Sequence, residues 1–255
     1  QGYPFIETWW NQMVYGQPPP GLDVRLALDL DLQTRADNLL EGHRGALVLL
    51  NASTGEILAM ASHPGFDANR LGEEWEELVR RDDAPLFNRA TLGRYPVGEL
   101  DQLLPQGFAG LGVDPTPRLR LPTGDAVNDQ PEPGFYSPLQ AALVAAALSA
   151  EGTRPAPRLA TAVNLPGSGW TLLPALDRPL EVVASEAAQR FKEKYALKGE
   201  MIWQLLSETK TGSGDPLTWY LGGTLSAADG IPLALGLVLE EHNPALAEHI
   251  GGALL

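Results

Sequence analysis

Apolar and polar positions alternate from Asp23 to Leu30, with Val24, Leu26, Leu28 and Leu30 set against Arg25 and Asp29. A period of two predicts a strand buried on one face. Asp31 then suits the cap of a short helix running through Leu40, with Gly42 beyond its end. Gly45 to Leu50 is nearly all apolar, Asn51-Ala52-Ser53-Thr54-Gly55 reads as a turn, and Glu56 to Ala61 is a second apolar run. Two such runs around a tight turn predict a hairpin in a sheet covered on both faces.

Helical signals return around Glu73–Arg80, where Glu73, Glu74, Glu76 and Glu77 read as a solvated face. Pro105 to Pro133 carries Pro115, Pro117, Pro122 and Pro131 with several Gly, and predicts mostly loop. Ser137-Pro138-Leu139-Gln140 is a helix start: Ser as N-cap, Pro at the first helical position, Gln closing a capping box. Ala141 to Ala150 is almost wholly Ala, Leu and Val, so this helix belongs inside, and Gly152 stops it. Ser185 opens another helix toward Leu197, broken by Gly199 before Glu200–Leu206. The end reads as strand Leu217–Leu225, turn Ser226–Gly230, strand Ile231–Glu240, then a helix capped by Asn243 with Pro244 at its first position. The simplest assembly is a mainly antiparallel sheet, built from the early hairpin and the late strands, with helices against it. Both ends of the chain then share one sheet, which predicts one main domain.

Composition narrows the class. With 32 acidic and 18 basic residues among 255, the formal charge is -14, which gives no footprint for nucleic acid. No stretch approaches the roughly 18 apolar residues of a membrane span. Zero Cys excludes disulfides, thiolate metal sites and a Cys nucleophile. Residues 1–20 hold Tyr3, Phe5, Trp9, Trp10 and Tyr15 before Pro18-Pro19-Pro20, so 1–22 reads as an aromatic, Pro-rich segment packed on a body spanning 23–255. The first residues lack the basic and apolar regions of a signal peptide, and no initiator Met is present, which fits a trimmed chain.

Candidate chemistry is sparse. His43, His63, His242 and His249 form no H-x-x-x-H pair and read as surface residues, so no metal and no cofactor is expected. A Ser-His-Asp triad stays open at this stage, but no Gly-x-Ser-x-Gly elbow supports it. The informative segment is Thr209-Lys210-Thr211-Gly212-Ser213-Gly214. On a strand edge, Lys210 and Thr211 would present an ammonium and a hydroxyl to an anion, and Gly212 would let a ligand approach the backbone.

A collinear series of segments accompanies it: Asp23–Gln33, Gly45–Met60, Pro64-Gly65-Phe66-Asp67-Ala68-Asn69, Asn88-Arg89-Ala90-Thr91, Tyr95-Pro96-Val97-Gly98, Ser137–Gln140 and Lys210-Thr211-Gly212. In order and spacing the chain resembles the transpeptidase domain of class B penicillin-binding proteins, over most of 23–255. The resemblance implies a mixed α/β fold of the β-lactamase-like kind: a central, mainly antiparallel five-stranded sheet flanked by helices, here with a reduced helical subdomain. It also implies cell-wall (peptidoglycan) cross-linking at the outer face of the cytoplasmic membrane, and acylation by penicillin. Partners by the same resemblance are the peptidoglycan stem peptide or cell-wall assembly proteins. Membrane attachment would run only through an anchor outside this chain.

The family's chemistry needs Ser-x-x-Lys, Ser-x-Asn and Lys-Thr-Gly. Directly after Tyr95-Pro96-Val97-Gly98, where the resemblance places the serine, stands Glu99, and Gln102 stands where the lysine belongs. A Lys one turn below takes the Ser proton in such a pair, because i and i+3 share a helix face. Glu has no hydroxyl for a stable ester, and Gln is no base near neutral pH. Between Gln102 and the Pro131–Gly134 loop there is no Ser, so the middle motif is missing. Ser207-Glu208-Thr209-Lys210 also spells Ser-x-x-Lys, but it uses the Lys of Lys-Thr-Gly and is expected between a helix and a strand, as a chance match. Lys210, Thr211, Gly212 and Ser213 remain as the substrate-binding remnant. An ion pair between Glu99, favoured at a helix N-terminus, and Lys210 is expected to fill the old cleft. The leading expectation is a pseudoenzyme. The alternatives are an active D,D-transpeptidase with a displaced serine and a reversible muropeptide-binding module.

Overall fold

A computed structural model describes residues 21–113, 117–120, 133–225 and 230–255. All but the last two residues of the 1–22 segment, parts of the Pro-rich loop and residues 226–229 lie outside that set.

The architecture is a five-stranded sheet between two helical layers. Strands β1 (Val24–Leu26), β2 (Gly45–Asn51) and β3 (Ile57–His63) come early in the chain, with helix α1 (Leu30–Leu40) between the first two. A helical stretch follows: a 3₁₀ turn at Ala68–Arg70, α2 (Leu71–Leu78), α3 (Arg89–Leu92), β4 (Tyr95–Pro96), α4 (Leu100–Leu103) and α5 (Gly107–Gly110). Then come β5 (Phe135–Tyr136), α6 (Pro138–Ser149), β6 (Thr153–Arg154), β7 (Ala160–Leu165), β8 (Gly169–Leu172), β9 (Leu180–Glu181) and α7 (Ser185–Tyr195). The chain closes with β10 (Ile202–Lys210), β11 (Pro216–Thr224), β12 (Leu233–Leu239) and α8 (Pro244–Leu254).

The main sheet has the order β10-β11-β12-β2-β3. Every neighbour is antiparallel, and Leu239 at the end of β12 pairs with Gly45 at the start of β2. Sequence-distant hairpins are thus zipped along one central seam, as the apolar runs predict. All seven residues of β2 are buried, because helices cover both of its faces. On one side lies α6, whose every residue is buried. The predicted capping box is present, with the Ser137 hydroxyl accepting from the Gln140 N–H and the Gln140 side chain accepting from the Ser137 N–H. Gly236 of β12 lets this helix lie against the sheet. A Cβ there would come 2.4 Å from the Ala142 nitrogen and 2.6 Å from the Pro138 oxygen. On the other face α1 and α8 enclose Leu47, Leu49, Leu235, Leu237 and Tyr220.

Four local expectations are corrected. The Asp23–Leu30 strand shrinks to Val24–Leu26 and pairs with β7 in a separate three-stranded sheet. Helix α1 starts two residues early: Asp29, not Asp31, is the N-cap, and its carboxylate accepts from the Asp31 and Leu32 N–H groups. Asp29 has the extended backbone that an N-cap needs, whereas Asp31 already lies in the first helical turn. Ser185 lies inside α7, whose N-cap is Ala184 without a side-chain bond. Ser207 to Lys210 form the last part of strand β10, not a connection between helix and strand.

Candidate active-site cleft

Strand β10 is an edge of the sheet and ends at Lys210. Thr211 to Asp215 turn the chain into β11, and Lys210 pairs with Pro216 across the hairpin. The turn is closed by its own polar groups. The Thr211 N–H donates to the Asp215 carbonyl at 2.9 Å, and the Gly214 N–H to the Thr211 carbonyl at 2.9 Å. Gly214, with φ +93°, supplies the left-handed step that this turn requires. The Asp215 carboxylate accepts from the Ser213 hydroxyl and, at 3.3 Å, from the Thr211 hydroxyl. Thr211 Oγ1 also accepts from the Asp215 N–H at 3.0 Å. The two hydroxyls of the remnant therefore already serve a carboxylate from within the chain. Lys210 is exposed and makes no salt bridge among the described residues.

Facing this edge is the Tyr95-Pro96-Val97-Gly98 segment. The two residues of β4 pair with Tyr136 and Phe135, just before the Ser137 cap. The Pro96 carbonyl accepts from the Trp219 indole at 2.9 Å, and the Tyr95 ring meets Trp219 edge-on with centroids 6.2 Å apart. The Tyr95 hydroxyl donates to Glu240 at 2.8 Å. Burial, then the Glu240 charge and that hydrogen bond, push the Tyr95 phenol well above its ordinary value. Gly98 has φ +54°, and a Cβ on it would stand 2.8 Å from Thr209 Oγ1. The turn that leads to Glu99 therefore rests on the residue before Lys210.

What the turn presents is a single helical turn. Glu99 is the N-cap residue of the four-residue α4, its side chain makes no cap bond, and it is exposed. Gln102 is exposed as well. Leu100 and Leu104 point inward and are buried, which is what holds the segment down. Asp101 turns away from the cleft to accept from the Phe108 N–H at 2.8 Å. Burial and then the Asp101 charge raise the Tyr136 phenol. The expected Glu99–Lys210 ion pair is not formed within 4.0 Å. Both side chains are solvated and long, so the entropy of fixing them outweighs a weak surface attraction, and the macrodipole of one turn adds little.

The other sequence candidates resolve into structural roles. The His63 ring is hydrogen-bonded to Asp37 at 3.2 Å. Burial pushes the Asp37 carboxyl up, but hydrogen bonds from His63 and Gln33 and the His63 charge outweigh it, so the group sits below its ordinary value. The neighbouring Ser62 hydroxyl donates to the Phe87 carbonyl and accepts from the Arg89 N–H, so no hydrogen-bonded Ser-His-Asp chain forms there. His43 pairs with Glu241 and His242 with Glu208. Ser207 is buried within β10, opposite Trp219. Sequence reasoning missed two roles: Asp215 as internal acceptor, signalled only by its place after Gly214, and the buried ion pair of Arg89, noted there only within the Asn88–Thr91 segment. Arg89 is 2% exposed and donates to Glu240 at 2.8 Å and to the carbonyls of Asp83 and Ala84. It ties the helical stretch to the end of β12.

No family model matches the chain. Among curated proteins it is 42% identical over 86 residues to the peptidoglycan D,D-transpeptidase MrdA of Acinetobacter baumannii, a match covering 32% of this chain and 13% of that protein. It is 39% identical over 84 residues to MrdA of Escherichia coli, covering 31% of this chain and 13% of that protein. These matches span far less than two thirds of either relative's length. In structure, 98% of the chain superposes on 82% of penicillin-binding protein A from M. tuberculosis, in an imipenem acyl-enzyme complex, with TM-score 0.75 and 19% identity. The D,D-transpeptidase domain of a peptidoglycan glycosyltransferase from Eggerthella lenta superposes over 96% of this chain and 86% of that one, with TM-score 0.71 and 18% identity. Over those stretches the chain is similar to peptidoglycan D,D-transpeptidases, and its fold is that of penicillin-binding transpeptidase domains. Within this fold the Tyr95–Gly98 turn lies against Thr209, beside the Lys210 edge. The turn leads into a single helical turn, with Glu99 at its N-cap and Gln102 within it.

Proposed function

We propose that this chain is a penicillin-binding transpeptidase-like domain of peptidoglycan assembly that no longer performs transpeptidation. The observation that carries the reading is the turn after Gly98. Packed on Thr209, it offers an exposed carboxylate and an exposed amide where acyl transfer needs a hydroxyl and a base. A mixed anhydride on Glu99 would hydrolyse too readily to act as an acyl intermediate. Ser207 is no substitute, since its side chain is buried among sheet residues. By the resemblance, the domain works at the outer face of the cytoplasmic membrane, with 23–255 as its body.

With acylation gone, the reading leaves association with cell-wall assembly proteins as the role. Reversible capture of a stem peptide is the second reading, favoured by the exposed Lys210 and opposed by Asp215, which already occupies the Thr211 and Ser213 hydroxyls. Incubation of the folded protein with a fluorescent penicillin, followed by denaturing electrophoresis, is expected to leave no covalent label. A stable adduct overturns the pseudoenzyme reading, and an adduct lost in Ser207→Ala would identify the displaced serine. Calorimetry with a stem peptide separates the remaining roles. Heat of binding that is lost in Lys210→Ala supports capture, and its absence supports a protein partner.

A further inference from the structure

At the opposite end of the sheet from Lys210 lies a cavity of about 440 Å³. Its walls include Ser149 at the end of α6, Thr153, Lys192 of α7, Thr224 at the end of β11, and Ser53 in the β2–β3 turn, with Glu151 and Gln189 beside them. Thr224 pairs with Ile202, the first residue of β10, whereas Lys210 is the last of its nine residues. At about 3.3 Å per residue the two places are roughly 27 Å apart. The cavity is therefore separate from the cleft described above.

Lys192 is the unusual group. It is 4% exposed, and among the described residues its ammonium makes one hydrogen bond, to the Ser149 carbonyl at a long 3.5 Å. An ammonium has three donors, and a buried cation that leaves donors unmet is costly. No carboxylate lies within 4.0 Å of it among the described residues, Glu151 included. The hydroxyls beside it are also set to donate. Ser149 Oγ accepts from the Trp203 indole at 3.0 Å, and Thr224 Oγ1 accepts from the Leu233 N–H at 3.0 Å. Among the described residues neither hydroxyl donates a hydrogen bond, so each O–H proton is available to a guest. Gly223 makes this wall possible, since a Cβ there would stand 2.2 Å from Ser149 Oγ.

A buried cation with spare donors, flanked by hydroxyls that have already accepted, asks for an acceptor-rich guest. We propose that this cavity binds a compact oxyanion, a small carboxylate or a phosphate group, on the Lys192 ammonium with the Ser149 and Thr224 hydroxyls. Two features oppose the anion: the carbonyl end of α6 and the Glu151 carboxylate. The first is a fraction of a charge, and Lys192 already faces it. The second is solvent-exposed and screened, whereas Lys192 is not.

The Trp203 indole N–H reports on the site, because its hydrogen-bond partner lines the cavity. In a ¹H–¹⁵N spectrum of the whole chain, titration with inorganic phosphate or with acetate is expected to move that indole signal saturably. The ion that moves it identifies the class of guest. Lys192→Met is expected to weaken the response at least about tenfold, and Glu151→Gln to strengthen it by removing a repulsive charge. Because Lys192 is buried, circular dichroism must show that Lys192→Met is folded. Glu151 is exposed, so Glu151→Gln tests the proposal even if the first variant is not. A signal indifferent to both ions, or weaker binding in Glu151→Gln, overturns it.

Discussion

The α6–β12 seam and the Glu99–Lys210 cleft lie in one domain and differ in almost every physical respect. At the seam, each group is committed. Gly236 touches α6 backbone, Ser137 and Gln140 satisfy each other, and Arg89, Tyr95 and Arg44 all converge on Glu240. At the cleft, Glu99, Gln102 and Lys210 are exposed, and among the described residues their side chains make no hydrogen bond or ion pair. The difference teaches that the frame which positions a transpeptidase-like cleft does not depend on the groups that would react there. Glu99 is tolerated because its neighbours Leu100 and Leu104, not its own side chain, hold the turn.

The sharpest way to break the comparison is at Arg89. Arg89→Met would leave Glu240 without its buried partner and strip two carbonyls of their donors. Breaking a buried pair from one side costs about 3–5 kcal/mol, so a large fall in the urea midpoint is expected. A loss under about 1 kcal/mol would mean that Arg44 and Tyr95 hold Glu240 unaided. Gly236→Ala comes next. Its Cβ would meet helix backbone, which cannot swing aside, and overpacking of this kind costs about 1–3 kcal/mol. Thermal unfolding reads the loss, and an unchanged midpoint would show that α6 shifts freely on the sheet.

A smaller effect is expected from pH. The Tyr95 phenol is raised in the folded state by burial, then by Glu240. A folded value above the unfolded value means that the folded chain holds its proton where the unfolded chain releases it. The Tyr95 contribution is thus complete below about pH 10 and is lost as pH rises beyond it. The Tyr220 phenol, raised by burial and by Glu248 and Glu200, acts in the same direction. Stability measured from pH 9 to 11 should fall, less steeply in Tyr95→Phe. Equal slopes in the two proteins would remove Tyr95 from the account.

Much of this frame was legible because it rests on local signals. The capping box at Ser137, the apolar α6, the Asn51–Gly55 turn and the Asn243-Pro244 helix start all state their conformation within a few residues. The motif spacing was also enough to set the Glu99 turn beside the Lys210 edge. What stayed illegible depends on pairing in space. Arg89 and Glu240 are 151 positions apart, and although Arg89 lies in the Asn88–Thr91 segment, no local pattern marks Glu240 as its partner. The Glu99–Lys210 ion pair was inferred from charge and proximity, but proximity of two exposed side chains does not order them. Alternation over Asp23–Leu30 gave a strand that was too long, because Asp29 caps a helix and takes the last positions from it.

The smallest effect belongs to the cleft itself, and it tests the other half of the comparison. Glu99→Ser combined with Gln102→Lys rewrites both exposed positions as the resemblance to class B transpeptidases would have them. Neither side chain is buried, and among the described residues neither is hydrogen-bonded, so stability should stay within about 0.5 kcal/mol of the parent. Reactivity is also expected to stay absent. α4 spans four residues, so the i and i+3 side chains rest on a single frayed turn rather than on a helix that fixes their rotamers. A nucleophile and its base need placement within roughly 0.5 Å of productive geometry. Nor does the pair supply a Ser-x-Asn, since no Ser lies between Gln102 and Pro131. Fluorescent penicillin should therefore still leave the double variant unlabelled. Stable labelling would show that two residues alone separate this cleft from a working one, and that its frame has kept the precision that acyl transfer demands.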